Sequence, residues 1–327
     1  MLIDTHTHLN FNAFRHDADE VIRRSLDNQT WLIIVGAEYK TSKRGLDYAN
    51  KYERGVYATV GIHPIHLVEA KVSDQDYQFN SVNPVRNSSG ALNPVRDLSL
   101  SGMNPAGIVQ KDNPIAAPHF AGRGIISNGV NEVFNHDLYE KLAQFKKVVA
   151  IGEIGLDYYH LDITTDLPVA KNKQKEILLK QLKLAIQLGL PVIIHCRQAH
   201  DDLLVILKDF RKKNLEKLSK DKSWGVMHCF SGDEDLAWQY FSLGIAISFT
   251  GLITFSAKWD ELIRKAPIEK ILIETDSPYM TPEPHRGKRN EPVLVRFVAE
   301  RIAQIKNLTF ERVAEITTAN ARKMFNI

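Results

Sequence analysis

The sequence contains few cysteines and no long apolar run, and each shortage excludes a class of protein. Two of the 327 residues are cysteine, Cys196 and Cys229. That is too few for a disulfide framework and favours a reducing compartment. No apolar stretch approaches the roughly 20 residues that a membrane-spanning helix needs. The first residues, MLIDTHTHLNF, lack the basic and apolar regions of a signal peptide, so we expect a cytoplasmic protein without membrane association.

A strong excess of charge of either sign is also missing. Lys and Arg together number 42, and Asp and Glu together number 39, which gives a formal net charge of +3. This slight basic excess is compatible with an anionic substrate but does not require one. The composition is 44% hydrophobic and 25% charged, as in ordinary globular proteins, and the length suits one large domain. We therefore expect a single domain over 1–327.

Short apolar runs recur along the chain and mostly end at a polar residue or a glycine. Runs that are apolar on both faces are typical of buried parallel strands. They predict strands at 2–3, 31–35, 56–60, 148–151, 191–194, 225–227, 244–249 and 271–273. Helical periodicity lies between most of these runs and after the last one, at 17–28, 41–53, 137–146, 171–189, 200–212, 234–243, 257–266, 292–306 and 309–325.

Eight strands that alternate with helices predict an α/β fold, a (β/α)8 TIM-type barrel. A doubly wound sheet is the alternative that the pattern alone leaves open. One segment between strands 3 and 4, at about 77–133, interrupts the alternation. It is rich in Asn, Ser, Gly and Pro, and it repeats the letters NPVR at 83–86 and 93–96. We interpret it as a low-complexity, disordered surface insertion; the alternative is a functional lid or a partner-binding loop.

Candidate metal ligands fall at the ends of the predicted strands. His6 and His8 are two residues apart on the first strand, so their side chains point the same way and can chelate one divalent ion. Four more ligand-type residues end other strands: Glu153, His195, His228 and Asp276. Strand ends converge on the catalytic face of a barrel, and such side chains are costly to bury unless they are paired or bind metal. The pattern therefore predicts a metal centre, with separate ion pairs or polar caps as the alternative.

Seven motifs surround these residues and follow one another along the chain. They are IDTHTHL, GIHP, GEIGLDYY, PVIIHCR, HCFSG, ETDSPYMTPEPHRGKRNEP and NARKMF. Together they resemble the TatD family of metal-dependent deoxyribonucleases, over the whole chain except 77–133. The resemblance implies an amidohydrolase-like barrel that hydrolyses phosphodiester bonds in DNA. The departure from the family is the long insertion between GIHP and GEIGLDYY, which leaves every motif intact.

The resemblance also implies how the ligands are divided between two divalent metal ions. His6, His8 and Asp276 would hold one ion, His195 and His228 would hold the second, and Glu153 would bridge the two. Imidazole and carboxylate ligands suit Mg, Mn or Zn and do not choose among them. Similar barrels suggest that Asp276 also takes a proton from the attacking water.

Residues near the ligands are candidates for catalysis and substrate binding. His63 follows the third strand, and we predict that it contacts phosphate or protonates the leaving group; the alternative is a loop histidine in a turn before Pro64. Arg197 and Arg286 are predicted phosphate contacts, because a guanidinium group can bind two phosphate oxygens at once. Further candidates are the basic residues His285, Lys288 and Arg289 and the aromatic residues Tyr158, Tyr159 and Phe230.

The two cysteines each follow a predicted ligand histidine directly. Because adjacent residues of a strand point to opposite faces, we expect Cys196 and Cys229 to face the helix layer. They are therefore predicted to be small apolar side chains rather than metal ligands or nucleophiles.

The sequence thus predicts a deoxyribonuclease that acts through metal-activated water on single-stranded DNA ends, without an obligate protein partner. One alternative is an amide or ester hydrolase on the same site, such as a D-aminoacyl-tRNA deacylase or a cyclic amidohydrolase, since one fold hosts many chemistries. Another is a binding protein that keeps the barrel without catalysis, which a complete ligand set argues against.

Overall fold

Eight parallel strands form one sheet in the order of the sequence. The structure, a computed structural model, describes residues 1–67, 133–161, 166–218 and 223–327. The strands are β1 Leu2–Thr7, β2 Thr30–Ile34, β3 Val56–Val60, β4 Val148–Asp157, β5 Val192–Arg197, β6 Gly225–Met227, β7 Ile245–Phe249 and β8 Ile271–Ile273. The helices are α1 Ala18–Asp27, α2 Tyr39–Ala49, α3 His136–Ala143, α4 Leu167–Leu188, α5 His200–Lys213, α6 Glu234–Ser242, α7 Asp260–Lys265, α8 Val295–Lys306 and α9 Phe310–Phe325.

The sheet closes where β1 meets the residues that follow β8. Thr7 forms a parallel bridge with Ser277. The backbone N–H of Asp276 donates to the carbonyl oxygen of His6 at 2.9 Å, and the N–H of His8 donates to that of Ser277 at 2.8 Å. The first and last strands are therefore neighbours. The predicted (β/α)8 barrel is confirmed, and the doubly wound alternative is wrong.

Apolar side chains fill both sides of the barrel wall. Every residue of β1, β4 and β7 is buried, as expected for strands covered by helices on one face and by the barrel interior on the other. The interior cluster takes Ile3, Ile33, Val149, Ile193, Val226, Ala246 and Leu272 from the strands and Met324 and Phe325 from α9. Since these residues come from seven strands, they form the packed centre of the barrel.

The helices begin and end where the sequence places capping residues. The side chain of Asp166 accepts a hydrogen bond from the N–H of Val169 at the start of α4, and Gly189 ends that helix with a φ of 66°. The predicted end of this helix is confirmed, but its start lies four residues earlier than the predicted 171. Two other predicted helices, 257–266 and 292–306, begin with a short 3-10 turn before the α-helix.

Two strands extend beyond their predicted ends. The apolar pattern ended at the first polar or glycine residues, whereas backbone pairing continues through them to Asp157 in β4 and Arg197 in β5. In the pairing of β4 with β5, Gly155 lies opposite His195 and Asp157 opposite Arg197. Polar residues that the sequence pattern placed after these strands therefore lie within them.

The predicted insertion follows β3 and precedes β4, as expected. Apart from Val133, the segment 77–133 lies outside the described residues. Among the helices of the described residues, none has the length and apolar character needed to cross a membrane.

Candidate metal centre

The six predicted ligand side chains meet at the carboxyl-terminal ends of the strands. They are His6 and His8 at β1, Glu153 in β4, His195 in β5, His228 after β6 and Asp276 after β8. His195 is half-buried, and the other five are buried. The parallel order of the strands brings residues that are distant in the chain to this one end of the barrel.

An irregular register in β1 aims its two histidines at this point. The pairing of β1 with β2 shifts between Asp4 and Thr7, and the N–H of His6 donates to Asp4 Oδ1 at 3.2 Å. Ile3 belongs to the barrel interior, so strict alternation would turn His6 toward the helices. An irregularity of this kind changes the direction of side chains. Here it brings the Nε2 atoms of His6 and His8 to within 3.1 Å of each other.

Four ligand atoms form the first set. Glu153 Oε2 lies 3.5 Å from His6 Nε2 and 3.7 Å from His8 Nε2. Asp276 Oδ1 lies 3.7 Å from His6 Nε2 and 3.4 Å from His8 Nε2. The residue Asp276 has a φ of 54°, which is rare for a side chain with a Cβ and is found disproportionately at functional sites.

The second set uses the other oxygen of the same glutamate. Glu153 Oε1 lies 3.0 Å from His195 Nδ1 and 2.8 Å from His228 Nε2. These two nitrogens are 3.3 Å apart. The ring of His228 also stacks on that of His6 with centroids 4.0 Å apart, and ligand atoms of His6, Glu153 and His228 form a compact group as well. The division of ligands between two ions therefore stays a prediction.

The donor set fits divalent metal ions. Ligand atoms about 2.0–2.1 Å from a tetrahedral ion lie about 3.4 Å from one another, and the separations in the first set are 3.1 to 3.7 Å. The Nδ1 of His8 donates to the carbonyl oxygen of Val35 at 3.1 Å, which leaves the Nε2 lone pair available for a metal. Imidazole and carboxylate donors together suit Mg, Mn or Zn.

Burial and neighbouring charge act in opposite directions on the carboxylates of the centre. Burial raises the pKa of Glu153, but the charges of His228 and His63 and hydrogen bonds from the surrounding histidines outweigh it, so that pKa lies well below its usual value. Burial likewise raises the pKa of Asp276, and a hydrogen bond from His8 with the charges of nearby histidines lowers it below its usual value. Both carboxylates are therefore ionised at neutral pH, as ligands must be.

Asp157 lies behind His195, a role that the sequence did not predict. Its Oδ2 accepts hydrogen bonds from His195 Nε2 at 3.1 Å and from His160 Nδ1 at 2.7 Å. Burial raises the pKa of Asp157, but these two histidines lower it below its usual value. Burial lowers the pKa of His195, but its bonds to Asp157 and Glu153 raise it to about 8. The signal in the sequence is the four-residue spacing from Glu153, which favours one face of a strand.

Glu274 lies behind His228 in a comparable way. Its Oε1 is 3.3 Å from His228 Nδ1, an ion-pair distance without the alignment of a hydrogen bond. Glu274 Oε1 also accepts from the N–H of Cys229 at 2.6 Å, and Oε2 accepts from Ser248 Oγ at 2.6 Å. The sequence signal for this residue is its two-residue spacing from Asp276, but the predicted strand ends at Ile273, so strand alternation does not predict it.

A family model described as TatD related DNase matches residues 3–326 of the chain. The match includes all six predicted ligands and almost the whole length. The chain belongs to the TatD family. The resemblance drawn from the motifs is confirmed, and the protein is a metal-dependent hydrolase of this family.

Other TatD-like proteins are similar to the chain over much or all of its length. YabD of Bacillus subtilis (strain 168), named an uncharacterized metal-dependent hydrolase, is 32% identical over 330 residues and is matched over 100% of both chains. YcfH of Escherichia coli (strain K12), described in the same words, is 38% identical over 62% of this chain and 74% of its own. The crystal structure of YJJV, a TatD homolog from E. coli K12, matches with a TM-score of 0.70 at 26% identity, covering 100% of this chain and 98% of that one.

His63 faces the centre of this TatD-family barrel. Its Nε2 lies 3.5 Å from Glu153 Oε1, and its ring meets that of His195 edge-on with centroids 4.2 Å apart. Its Nδ1 accepts a hydrogen bond from the N–H of Ile65 at 3.1 Å, so the hydrogen of the neutral ring sits on Nε2. Burial lowers the pKa of His63 well below its usual value, and the charge of His195 lowers it further. His63 in the turn before Pro64 thus presents a buried N–H donor, and its role in catalysis stays a prediction.

The predicted basic cluster after β8 contains residues with different surroundings. Arg289 donates to both carboxylate oxygens of Asp17, at 3.0 and 2.5 Å, and to Glu291 at 3.2 Å. Its guanidinium therefore holds the loop to the start of α1 rather than facing a substrate. Arg286 is half-buried, and its guanidinium lies over the ring of Phe255 at 3.7 Å.

Arg197 is the predicted phosphate contact that lies nearest to the ligands in the chain, at the end of β5. Its guanidinium stacks on the ring of Tyr159 at 3.9 Å, and both side chains are half-buried. The other two candidate aromatics have structural contacts: Tyr158 donates to Asp202 at 2.7 Å, and Phe230 is buried. Tyr159 is the candidate aromatic residue whose ring contacts Arg197, and its contact with substrate stays a prediction.

The two cysteines lie in different environments. Cys196 is buried in the apolar layer between strands and helices, as predicted. Cys229 lies beyond the end of β6, in a turn with a φ of 45°, so the alternation of a strand does not place it. Burial raises the pKa of both thiols to about 12. Among the described residues, the compact groups of ligand-type side chains at the centre include neither cysteine.

Proposed function

We propose that this hydrolase is a deoxyribonuclease that uses two divalent metal ions (Mg, Mn or Zn) to cleave phosphodiester bonds at single-stranded DNA ends. The observation that supports this most strongly is the double use of Glu153. Its Oε2 faces the histidines of β1, and its Oε1 lies 3.0 Å from His195 Nδ1 and 2.8 Å from His228 Nε2. A carboxylate that turns one oxygen to each histidine pair suits two adjacent ions, the arrangement of many phosphodiester-cleaving enzymes.

Asp276 is the proposed proton acceptor. Divalent ions bound here would lower the pKa of water and neutralise charge on the phosphate. The carboxylate of Asp276 is ionised and lies at the barrel mouth, with Oδ1 3.4 Å from His8 Nε2. Its other oxygen, Oδ2, is available to take the proton of the attacking water. In this proposal the carboxylate of Asp276 must therefore stay ionised before the reaction and accept a proton during it.

His63 and Arg197 are the proposed contacts to the scissile group. The Nε2–H of His63 points into the centre and can donate to a phosphate oxygen or to the leaving oxygen. Arg197 offers a guanidinium that can bind two phosphate oxygens, and the adjacent ring of Tyr159 can stack on a base. Arg286 is a further predicted phosphate contact in the loop after β8.

A direct assay separates DNA cleavage from amide or ester hydrolysis. Purified protein is incubated with end-labelled single-stranded DNA, with the matching duplex, and with a D-aminoacyl-tRNA, each with Mg²⁺, Mn²⁺ or Zn²⁺ and with a chelator. We expect metal-dependent shortening of the single strand, slower attack on the duplex, and no deacylation. Deacylation without DNA cleavage would replace the proposal by the deacylase alternative. Inactivity on all three substrates with metal bound would favour a binding protein.

A further inference from the structure

The two histidine pairs of the centre differ in what lies behind their outer ring nitrogens. In the β1 pair, His8 Nδ1 donates to the uncharged carbonyl of Val35, and His6 Nδ1 has no hydrogen-bond partner among the described residues. In the other pair, each outer nitrogen faces a buried carboxylate. Asp157 Oδ2 is 3.1 Å from His195 Nε2, and Glu274 Oε1 is 3.3 Å from His228 Nδ1. We call Asp157 and Glu274 the backing carboxylates.

The two sets of ligands also differ in the carboxylates that touch them directly. The first set contains the carboxylate of Asp276, which belongs to this set alone, and one oxygen of the shared Glu153. The second set has only the shared Glu153. A divalent ion in a buried site needs negative charge nearby, so the second position has less direct charge than the first. The backing carboxylates stand one imidazole ring away from that second position.

We propose that Asp157 and Glu274 are positioning residues that give the His195–His228 position its affinity for a metal ion, in place of a carboxylate ligand of its own. A carboxylate behind a ligand histidine fixes the tautomer and the ring orientation and makes the coordinating nitrogen a better donor. With Asp157 accepting at His195 Nε2, the lone pair of Nδ1 is turned toward Glu153. With Glu274 next to His228 Nδ1, Nε2 is turned toward the same oxygen.

Each backing carboxylate is itself held in place by further contacts. Asp157 Oδ1 accepts from the backbone N–H of His160 at 3.0 Å, and Oδ2 accepts from that ring at 2.7 Å. Glu274 is held by Ser248 Oγ and by the backbone N–H of Cys229, both at 2.6 Å. Because both carboxylates are anchored from a second side, they can orient the histidines rather than follow them.

Metal titration of the whole protein tests this inference, which rests on the proposed two-ion centre. Metal-free protein is titrated with Mn²⁺, and the free ion is measured by electron paramagnetic resonance. We expect two equivalents in the wild type. In Asp157→Asn and in Glu274→Gln, one equivalent should bind about 10–100-fold more weakly, and the other should be unchanged. Asp276→Asn should weaken the other equivalent, which assigns each equivalent to its position.

Matched variants distinguish orientation of a ligand from loss of folding. Asp202→Asn is the same substitution at a half-buried carboxylate that binds Tyr158 and Lys175 and pairs with none of the predicted ligands, so it should titrate as the wild type does. Ser248→Ala keeps both charges but removes one anchor of Glu274, and His160→Gln removes one anchor of Asp157. These milder variants should show smaller losses at the same equivalent, and the unfolding midpoint of the metal-free protein shows whether each variant is folded.

The outcomes separate the inference from the proposed function. If the wild type binds one equivalent only, the two-ion proposal fails. If it binds two, but Asp157→Asn and Glu274→Gln bind both as the wild type does, the inference alone is overturned. A loss at the equivalent that Asp276→Asn weakens would also overturn it. Should either variant fail to fold, Ser248→Ala and His160→Gln decide, because unchanged affinity in both would contradict the role of the backing carboxylates.

Discussion

Glu153 is the side chain that both sets of candidate ligands share. Replacing it by alanine removes a donor from each set at once and leaves four histidines facing one another without the central charge. We predict that Glu153→Ala loses metal content at both positions. Its DNA cleavage should fall by at least about a hundredfold, since several kcal/mol of charge stabilisation are lost.

Elemental analysis of dialysed protein and cleavage of labelled single-stranded DNA measure these two effects. Glu176→Ala is a suitable control, because Glu176 lies on the surface of α4 and pairs only with Lys180 among the ion pairs of the described residues. Full activity in Glu153→Ala would show that the shared carboxylate has been assigned wrongly.

Substitutions of Arg197 test whether its guanidinium group binds the DNA substrate. A guanidinium group suits phosphate and not a metal cation, so Arg197→Ala should raise KM for DNA about tenfold or more, consistent with loss of a charge-assisted contact of about 1.5–3 kcal/mol. Metal affinity should hold. Arg197→Lys should recover little, because lysine keeps the charge but loses the planar stacking on Tyr159. If Arg197→Ala lost metal affinity while KM for DNA stayed unchanged, the assignment of Arg197 as a phosphate contact would be wrong.

At the residue scale, the sequence predicted the side chains that end apolar runs and missed those that support them. His195 was predicted because a polar residue directly after a buried strand needs a reason to be there, and Asp276 because it lies close after the last strand. Asp157 and Glu274 were not, since their role depends on which ring nitrogen they face. That relation arises from the packing of neighbouring strands, so the spacings from Glu153 and Asp276 do not by themselves identify it. The division of ligands between ions depends on atom positions in the same way.

At the element scale, the order of strands and helices was predictable, but the extent of the strands was not. An apolar pattern stops at the first polar residue, whereas β4 continues for ten residues to Asp157 and carries Glu153 in its middle. The register shift in β1 between Asp4 and Thr7 was equally hidden. Both features follow from hydrogen bonding between strands, which does not depend on whether a side chain is apolar.

Gly155 shows how β4 and β5 are fitted together at the site. Its φ is 151°, a conformation that side chains rarely adopt, and a Cβ there would overlap the backbone carbonyl of His195. We predict that Gly155→Ala destabilises the fold by roughly 2–6 kcal/mol, from backbone strain together with overpacking. It should also weaken metal binding, because His195 is displaced.

Gly189 provides the matched control for this substitution. It also has a positive φ, 66°, but a Cβ there meets no atom within 4 Å. Gly189→Ala should therefore cost only about 1–2 kcal/mol and leave metal affinity as it is. Urea unfolding and metal titration of both variants measure the difference. Equal effects at the two glycines would contradict the close contact between β4 and β5.

At the scale of the whole molecule, the barrel and its family could be predicted from the sequence because many weak signals agree. Eight apolar runs, the helices between them and the ordered motifs all indicate one topology, and the closure at Thr7 and Ser277 agrees with it. The segment at 77–133 carries none of these signals. Its interpretation as a passive insertion stays a prediction.

Replacing residues 77–133 by a short Gly/Ser linker tests that interpretation. All six predicted ligands and both backing carboxylates lie elsewhere in the chain. We expect the shortened protein to fold, to bind the same metals and to cleave short single-stranded DNA at a similar rate, since a shorter loop costs little closure entropy. An increase in KM confined to longer DNA, with metal content unchanged, would indicate a lid and contradict the interpretation of 77–133 as a passive insertion.

Metal binding should stabilise the whole barrel, because the ligands come from β1, β4 and β5 and from the turns after β6 and β8. In the unfolded chain, residues as far apart as His6 and Asp276 cannot hold one ion together, so a bound ion favours the native state by mass action. At a free metal concentration 100 times the dissociation constant, this amounts to about 2.7 kcal/mol for one site. We predict that chelation lowers the melting temperature by several degrees and that adding metal back restores it.

In Glu153→Ala, which lacks the shared ligand, chelator and metal should both leave the melting temperature almost unchanged. Calorimetric scans of the two proteins with chelator and with metal measure this, and an equal response to metal in both would mean that the stabilising ion binds somewhere other than the proposed centre.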